Sequence, residues 1–575
     1  MKKLRQYSEL KAALLENAPH IRNAFLFTIV ANILSLAPVG YMRDVYGPVL
    51  DSRSEYVLIT VTVTLIGFLV ASGFLEWVRF RLMQAVAVAF NEKLGMRVFE
   101  ASYKSYLSSR SPTARLALQD LKTIRSFLSS PAVLAVMDAP VSIFFIVIVY
   151  LIHPRMGITT LVAVAVLFLI GYWTEIKVRP NVKYAQKTNA QAQLYVADSA
   201  GNAQTIQAMG MRDGVQKKWE SIQRNHVNKM AEATYSQSLG ATLSKLVMIG
   251  QGSVVLGLGC WLMLMGQLPE GGSAIIIASI IGGKAIQPLV KLIGNWKAIV
   301  TFRDSYGRLD NFLAENPQAT RGMTLPAPQG VIHVDNLSSR APGSRTVVLS
   351  NVTFSLKKGT CLAVMGPSGS GKSSLARMLV GVWPSLSGSI RLDDVDIFNW
   401  SKDELGVHLG YLPQDIELLE GSIAENICRF GEIDTVKLEL AIQLVGLTDF
   451  INTLQDKLNT QVGEDGSVFS GGQRQRLGLA RAIYGNPKFV VLDEPNANLD
   501  IEGNQALYKL LKHLKEAGTT VVVVTHKKDI LKYSDLILIL KAGKPRILGP
   551  RDQVLDKLAG KEVKTITAKQ ASNLT

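Results

Sequence analysis

Four stretches of the chain, residues 24–41, 57–75, 156–174 and 246–268, contain no charged residue. Each is long enough to cross roughly 30 Å of hydrocarbon as a helix rising 1.5 Å per residue. Residues 131–152 form a fifth run with one charge, Asp138, and residues 272–294 a sixth, interrupted by Lys284 and Lys291. A charge within a span must face an interior cavity or snorkel to the interface. Lys245, Lys284 and Lys291 therefore fit two roles equally, lining a polar path or marking helix ends. Six spans are predicted, all upstream of residue 310.

Composition changes there from membrane-like to soluble-like. The chain as a whole is 48% hydrophobic and 19% charged, with a mean hydropathy of +0.19, which excludes both a single soluble domain and a disordered chain. Its 62 Lys and Arg against 46 Asp and Glu give a net charge of +16. Nucleic acid, anionic lipid, nucleotide and the basic bias of cytoplasmic loops would each explain that excess. Its location favours the last. Lys2, Lys3, Arg5 and Lys11 precede the first span, and segments 76–130 and 175–245 are rich in Arg and Lys, which predicts that these regions and the N-terminus are cytoplasmic. Their helical spacing predicts that the spans continue out of the bilayer. Residues 24–41 lack a following small-residue cleavage site, so no cleaved signal peptide is expected. The Pro- and Gly-containing stretch 311–330 reads as a linker between a membrane domain over 1–310 and a soluble domain over 331–575. Cys260, Cys361 and Cys428 are far apart and outside any CxxC spacing, which indicates neither a disulfide framework nor a zinc site.

In the soluble half, the apolar run CLAVM leads into Gly366-Pro367-Ser368-Gly369-Ser370-Gly371-Lys372-Ser373, followed by Ser374 and a helix-compatible segment. This is a Walker A loop between strand and helix. Its glycines let backbone N–H groups surround a β-phosphate, Lys372 would neutralise β- and γ-phosphate charge, and Ser373 would ligate Mg²⁺. Phe489-Val-Val-Leu492-Asp493 is a buried-strand run ending in a carboxylate, a Walker B strand. Asp493 is the expected Mg²⁺ holder and the adjacent Glu494 the expected general base toward water. ATP and Mg²⁺ are the implied ligands.

Between these motifs stands Phe469-Ser470-Gly471-Gly472-Gln473-Arg-Gln-Arg, about twenty residues before the VVLDE strand. Here the chain resembles the ATP-binding cassette (ABC) family, whose signature begins Ser-Gly-Gly-Gln; Phe469 replaces the usual Leu. The resemblance implies that Ser470, Gly471, Gly472 and Gln473 contact the γ-phosphate of nucleotide held by an opposite cassette. It also matches Gln414 to the Q-loop, another Mg²⁺ contact, His526 to the switch histidine and Asp500 to the D-loop. Related cassettes stack adenine on an aromatic upstream of Walker A, yet residues 331–353 contain no Phe, Tyr or Trp. Arg340 is the candidate to stack there instead.

Six spans before one cassette look like an ABC exporter half-transporter. The expected fold is an α-helical six-span transmembrane domain plus an α/β P-loop nucleotide-binding domain, working as a dimer. A homodimer is expected because every catalytic residue type is retained. The Thr460–Gly466 segment resembles the exporter loop that touches cytosolic helices, and motion is expected to pass through loops near 105–116 and 207–216.

Within exporters, the 41–54 segment, Asp138-Ala-Pro140 with His153-Pro154, Thr205 to Trp219, and Pro495-Asn496-Ala-Asn498 resemble type I secretion ATPases of the protease and lipase exporter group. This implies export of an unfolded polypeptide across a bacterial inner membrane, with a periplasmic adaptor (membrane fusion protein) and an outer-membrane channel as partners, membrane lipids as surroundings and no nucleic acid. The chain begins about 20 residues before its first span. Under the resemblance that leaves no room for an N-terminal peptidase, so the passenger's signal is expected to be C-terminal and uncleaved. An exporter of lipids or small amphipaths is the alternative, sharing cassette and span count. A soluble nucleic-acid-associated ATPase is disfavoured by the six spans. A non-transporting regulatory membrane ATPase would more plausibly carry a degenerate cassette.

Overall fold

The computed structural model describes residues 8–109, 112–267, 272–318, 324–342, 346–463, 466 and 468–558. Lys2, Lys3 and Arg5, part of the 311–330 linker, and Glu464 and Asp465 of the Thr460–Gly466 segment lie outside the described residues. The chain divides near residue 318 into two compact units, each with its own core.

In the N-terminal unit each apolar run falls on a helical segment able to cross a bilayer: residues 18–44, 55–107, 131–152, 154–201, 212–264 and 274–294, the fifth helix ending at Leu264, short of the predicted 268, which lies outside the described residues. The helices are α1 (Glu9–Glu16), α2 (Ala18–Leu34), α3 (Ala37–Asp44), α4 (Leu50–Ser52), α5 (Glu55–Ser109), α6 (Pro112–Leu128), α7 (Pro131–Asp138), α8 (Ser142–Ile152), α9 (Pro154–Gly201), α10 (Ala203–Ala208), α11 (Arg212–Leu264), α12 (Gly272–Gly294) and α13 (Trp296–Glu315). Helices α5, α9 and α11 run 55, 48 and 53 residues, so their polar segments continue the apolar ones without interruption. At 1.5 Å per residue they are about 70–80 Å long, more than twice a hydrocarbon core.

What packs these helices differs along their length. In the apolar part of α9, Met156, Thr160, Val164, Leu167, Gly171 and Thr174 are buried at helical spacing. A Cβ on Gly240 of α11 would stand 2.4 Å from Thr174 Oγ1, so only glycine allows this close approach. Beyond the apolar part, charge pairs and aromatic contacts join the helices. Arg308 of α13 grips Asp120 of α6 through Nη2 (2.6 Å) and Nε (3.0 Å), and Phe127 stacks on Phe302 with ring centroids 4.2 Å apart. Arg97 of α5 holds Glu9 of α1 at 2.9 and 3.1 Å and donates to Asn316 O at 2.6 Å. Lys284 is half-buried, whereas Lys245 and Lys291 are exposed.

The second unit is α/β. A six-stranded sheet is built from β3 (Cys361–Met365), β6 (Leu409–Leu412), β7 (Phe489–Asp493), β8 (Thr520–Val524), β9 (Leu536–Lys541) and β10 (Lys544–Pro550), in the order β10-β9-β3-β8-β7-β6. All neighbours are parallel except β9 and β10. Strands β7 and β8 are buried at every position, as expected for central strands covered on both faces. A second, antiparallel sheet, β2-β1-β4-β5, joins β1 (Ile332–Arg340), β2 (Val347–Leu356), β4 (Ser387–Leu392) and β5 (Val395–Asp396). The helices that follow are α14 (Lys372–Leu379), α15 (Lys402–Leu405), α16 (Ile423–Ile427), α17 (Thr435–Leu444), α18 (Thr448–Thr453), α19 (Gly471–Ile483) and α20 (Ile501–Glu516), of which α14, α19 and α20 carry the site.

Candidate functional site

The parallel strands converge their C-terminal ends on one rim, where open α/β sheets bind ligands. Strand β3 delivers the loop 366–373 and β7 delivers Asp493 and Glu494. Gln414 follows β6 and His526 follows β8. The register pairs Asp493 with Val524, placing β7's last residue level with the approach to His526.

The 366–373 loop is folded around a space of its own. Gly366 has φ 154°, and a Cβ there would lie 2.2 Å from Leu540 O, so the backbone turns flush against β9. Lys372, the first residue of α14, folds its Nζ back to Gly366 O and Pro367 O, both at 3.0 Å. Its ammonium is thus held over the loop it starts from. The Ser373 hydroxyl donates to Gln414 Oε1 at 3.3 Å, which brings Walker A and Q-loop candidates together directly.

Asp493 is fully buried, and neither carboxylate oxygen has a hydrogen-bond partner. Burial pushes its carboxyl above the ordinary range and the neighbouring Glu494 charge adds to that, while the nearby Ser373 hydroxyl, too poorly placed for a full hydrogen bond, and the Arg377 and Lys372 charges oppose it. An unpartnered buried carboxylate is costly unless a cation shares its site. The orphaned oxygens beside Ser373 and Gln414 thus fit a divalent cation, and the buried, unpartnered Ser370 Oγ adds an unused polar group in the same loop.

Glu494 has a left-handed backbone, φ 49°, rare for a residue with a side chain, and its N–H donates to Val524 O at 2.9 Å. The turn swings the carboxylate off the strand toward His526, with Oε1 3.6 Å from Nδ1. Tyr411, on β6, has its phenol pushed up to about 12, chiefly by burial.

Ser470 to Gln473 open α19. The Ser470 hydroxyl accepts from Gln473 N–H at 3.3 Å and Gln473 Oε1 accepts from Ser470 N–H at 2.8 Å, a reciprocal capping box. Phe469 is buried and meets Phe450 edge-on at 6.0 Å, so it serves as the apolar anchor of this turn. Gly471 and Gly472 lie against Asn498, a Cβ on Gly472 standing 3.0 Å from Asn498 O. Asp500 caps α20 through Gly503 N–H at 2.7 Å and faces Arg476 Nη2 at 3.7 Å. The candidates therefore fall into two groups: the loop 366–374, Gln414, Asp493, Glu494 and His526 on the sheet rim, and Ser470–Gln473 with Asp500 at two helix starts. Arg340 ends β1 and is exposed.

Gln475 links the groups and was not singled out by sequence. Fully buried on α19, its Nε2 donates to Glu494 O (3.3 Å) and Pro495 O (3.0 Å). Asn496, also buried, approaches Thr525 Oγ1 at 3.5 Å and so ties the post-β7 turn to the post-β8 turn. The only sequence signal for either is a polar residue inside a motif, and that does not distinguish burial from exposure.

A six-span helical unit and a P-loop α/β unit with this rim define an ATP-hydrolysing multi-pass membrane transporter of the exporter type. The chain belongs to the ABC transporter family: residues 349–497 match "ABC transporter" and residues 21–282 match "ABC transporter transmembrane region". It is 37% identical over 546 residues to the type I secretion system ATP-binding protein PrsD of Rhizobium meliloti, covering 93% of each chain. It is 27% identical to the alpha-hemolysin translocation ATP-binding protein HlyB of Escherichia coli, over 93% of this chain and 77% of that one. The leukotoxin translocation ATP-binding protein LktB of Mannheimia glucosida is also 27% identical, over 94% and 77%. In fold it is similar to a bacterial Atm1-family ABC exporter with ATP bound, with TM-score 0.80 and 20% identity over 96% of this chain and 99% of that one.

Proposed function

We propose that this protein is the energising ATPase of a type I secretion system, exporting an unfolded polypeptide with an uncleaved C-terminal signal across the inner membrane. The observation that carries this reading is the 37% identity, over 93% of both chains, to a type I secretion ATP-binding protein. The unbroken catalytic rim supports it. The active form is a homodimer, with the cassette and N-terminus cytoplasmic, and its partners are a periplasmic adaptor and an outer-membrane channel.

In this reading the loop from Gly366 to Ser374 wraps the β-phosphate with backbone N–H groups at the start of α14. Lys372 exchanges its two carbonyl contacts for phosphate oxygens. Ser373, Gln414 and Asp493 would hold Mg²⁺, which would supply neutralisation of phosphate charge. Glu494 accepts the proton of the attacking water, and His526 donates to the γ-phosphate. Ser470, Gly471 and Gly472 offer the free N–H groups at the start of α19 to the nucleotide of the opposite copy. Gln473 keeps Ser470 in place, and Asp500 orders the segment between copies. This division explains why Ser470–Gln473 and Asp500 form a group apart from the Walker loop within one chain.

The test is affinity capture of Glu494→Gln from native membranes with ATP, followed by mass spectrometry. Recovery of an adaptor, an outer-membrane channel or a polypeptide passenger supports the proposal. Recovery of lipid alone, with ATPase stimulated by lipid or small amphipaths, overturns the polypeptide assignment in favour of a small-amphipath exporter.

A further inference from the structure

Where α1 meets α2, the chain leaves a groove of about 580 Å³ against α7. That is the size range of ligand sites. Its walls are apolar, among them Phe25, Val136 and Met137, and two cations, Lys11 and Arg22, stand on its α1–α2 side. Arg22 is one turn into α2 and Phe25 one turn further. Val136 and Met137 lie five and six residues into α7, roughly 8–9 Å along its axis. Both helices enter their spanning segments from this end, so a bilayer crossed by them would meet the cations at headgroup level and the apolar wall toward its acyl region.

The acidic residues on the helices that wall the groove are all paired. Helices α1, α2 and α7 carry three acidic residues, Glu9, Glu16 and Asp138, and each is already paired, with Arg97, Lys93 and Arg79 respectively. Among the described residues Arg22 forms no ion pair. An apolar slot with cations at one end, and with the carboxylates of its own three helices paired, matches a molecule that is anionic at one end and hydrocarbon at the other. Basic pockets beside membrane helices recognise anionic headgroups on the same physical grounds.

We infer that this groove binds one anionic phospholipid, its phosphate held between Lys11 and Arg22 and one acyl chain laid along Phe25, Val136 and Met137. The site does not depend on what the transporter exports. It would tie the α1–α2 elbow to α7 through a lipid, and so make the packing of this corner sensitive to membrane charge.

The test uses the full-length protein in phosphatidylcholine nanodiscs doped with a photoactivatable phosphatidylglycerol or, in parallel, a photoactivatable phosphatidylcholine. Peptide mapping should place the phosphatidylglycerol label on the α1–α2 and α7 segments, with little label there from phosphatidylcholine. Lys11→Gln and Arg22→Gln should each weaken retention about fivefold, and Arg22→Lys should restore it. Basal ATPase in pure phosphatidylcholine should be unchanged in all three variants, which shows that they fold. Equal labelling by both lipids, labelling elsewhere, or crosslinking of the groove to a second copy would overturn the site.

Discussion

His526 Nδ1 stands 3.6 Å from Oε1 of Glu494, a residue in a left-handed turn, and this is beyond a strong hydrogen bond. A gap of this kind suits a carboxylate that must receive a proton from water rather than spend its lone pair on a neighbour. Replacing Glu494 by Gln keeps shape and removes basicity. Turnover should fall about 10²–10⁴-fold, while ATP binding by equilibrium titration stays near wild type. Comparable loss of binding would mean that Glu494 holds nucleotide rather than activating water.

Asp493 gives a prediction with a defined sign. Its carboxyl is raised by burial, so between the ordinary carboxylate range and its own higher value the folded state binds more protons than the unfolded one. Stability of the nucleotide-free cassette therefore falls as pH rises through that window, and the cost stays in place above it. Asp493→Asn removes the cost. Thermal scans of the full-length protein at neutral pH without nucleotide should show a higher cassette transition in the variant, whereas added Mg-ATP should stabilise wild type and leave the variant nearly unmoved. A lower transition in the variant would show that Asp493 is satisfied in the native state.

Gln475 should behave as a positioning residue. Its amide satisfies the Pro495 carbonyl and adds to the Ala497 N–H at the Glu494 carbonyl, so Gln475→Ala leaves one buried acceptor unpaired, costing about 1–3 kcal/mol. The turn that aims Glu494 loosens, and kcat should fall with little change in ATP affinity. Equal losses in both would indicate general unfolding of the rim.

These two residues mark the limits of sequence reading. The six spans were legible because uncharged runs of this length have few alternatives, and the Walker loop because its glycines, lysine and serine occupy fixed positions between a strand and a helix. Asp493 was legible as a strand-end acid. That it sits without a well-formed hydrogen bond was not, since that depends on which strands flank β7. Gln475 reads as one more polar residue in a Gln-Arg-Gln-Arg run, and only the packing of α19 beneath the β7 turn buries it. The antiparallel sheet was likewise hidden: β1 pairs with β4 across 49 to 60 residues, a distance no local pattern encodes. Pro180 lies within α9 without ending it, although a proline in a helical pattern normally signals a boundary.

The thiols separate by burial. Cys361 begins β3, and burial pushes its thiol up to about 12, with the Asp535 charge adding to the shift. It should resist maleimide at pH 8 in the native protein, as should buried Cys428, and both should react on denaturation. Mass spectrometry of the labelled cassette peptides reads this directly. Rapid native labelling of Cys361 would mean that β3 opens locally.

Arg79 of α5 and Asp138 of α7 form a pair with Nη2 to Oδ1 of 3.0 Å and side chains 5% and 13% exposed, and Asn32 of α2 adds a longer contact of 3.4 Å to the same oxygen. The Asp-Ala-Pro run in the third span thus has a structural use, joining three helices at one carboxylate. Arg79 Nε has no partner, so the guanidinium depends on Asp138 for most of what it gains inside the bundle. Removing one charge strands the other, and Asp138→Ala should cost about 3–5 kcal/mol. Removing both should cost much less, because a buried pair recovers little more than its own desolvation. Thermal unfolding of Asp138→Ala, Arg79→Met and the double variant in one detergent measures the coupling. A double variant less stable than either single one would show that each residue has its own partner. A double variant near wild type, with both singles impaired, would show that the pair sets which helices meet rather than how firmly they hold.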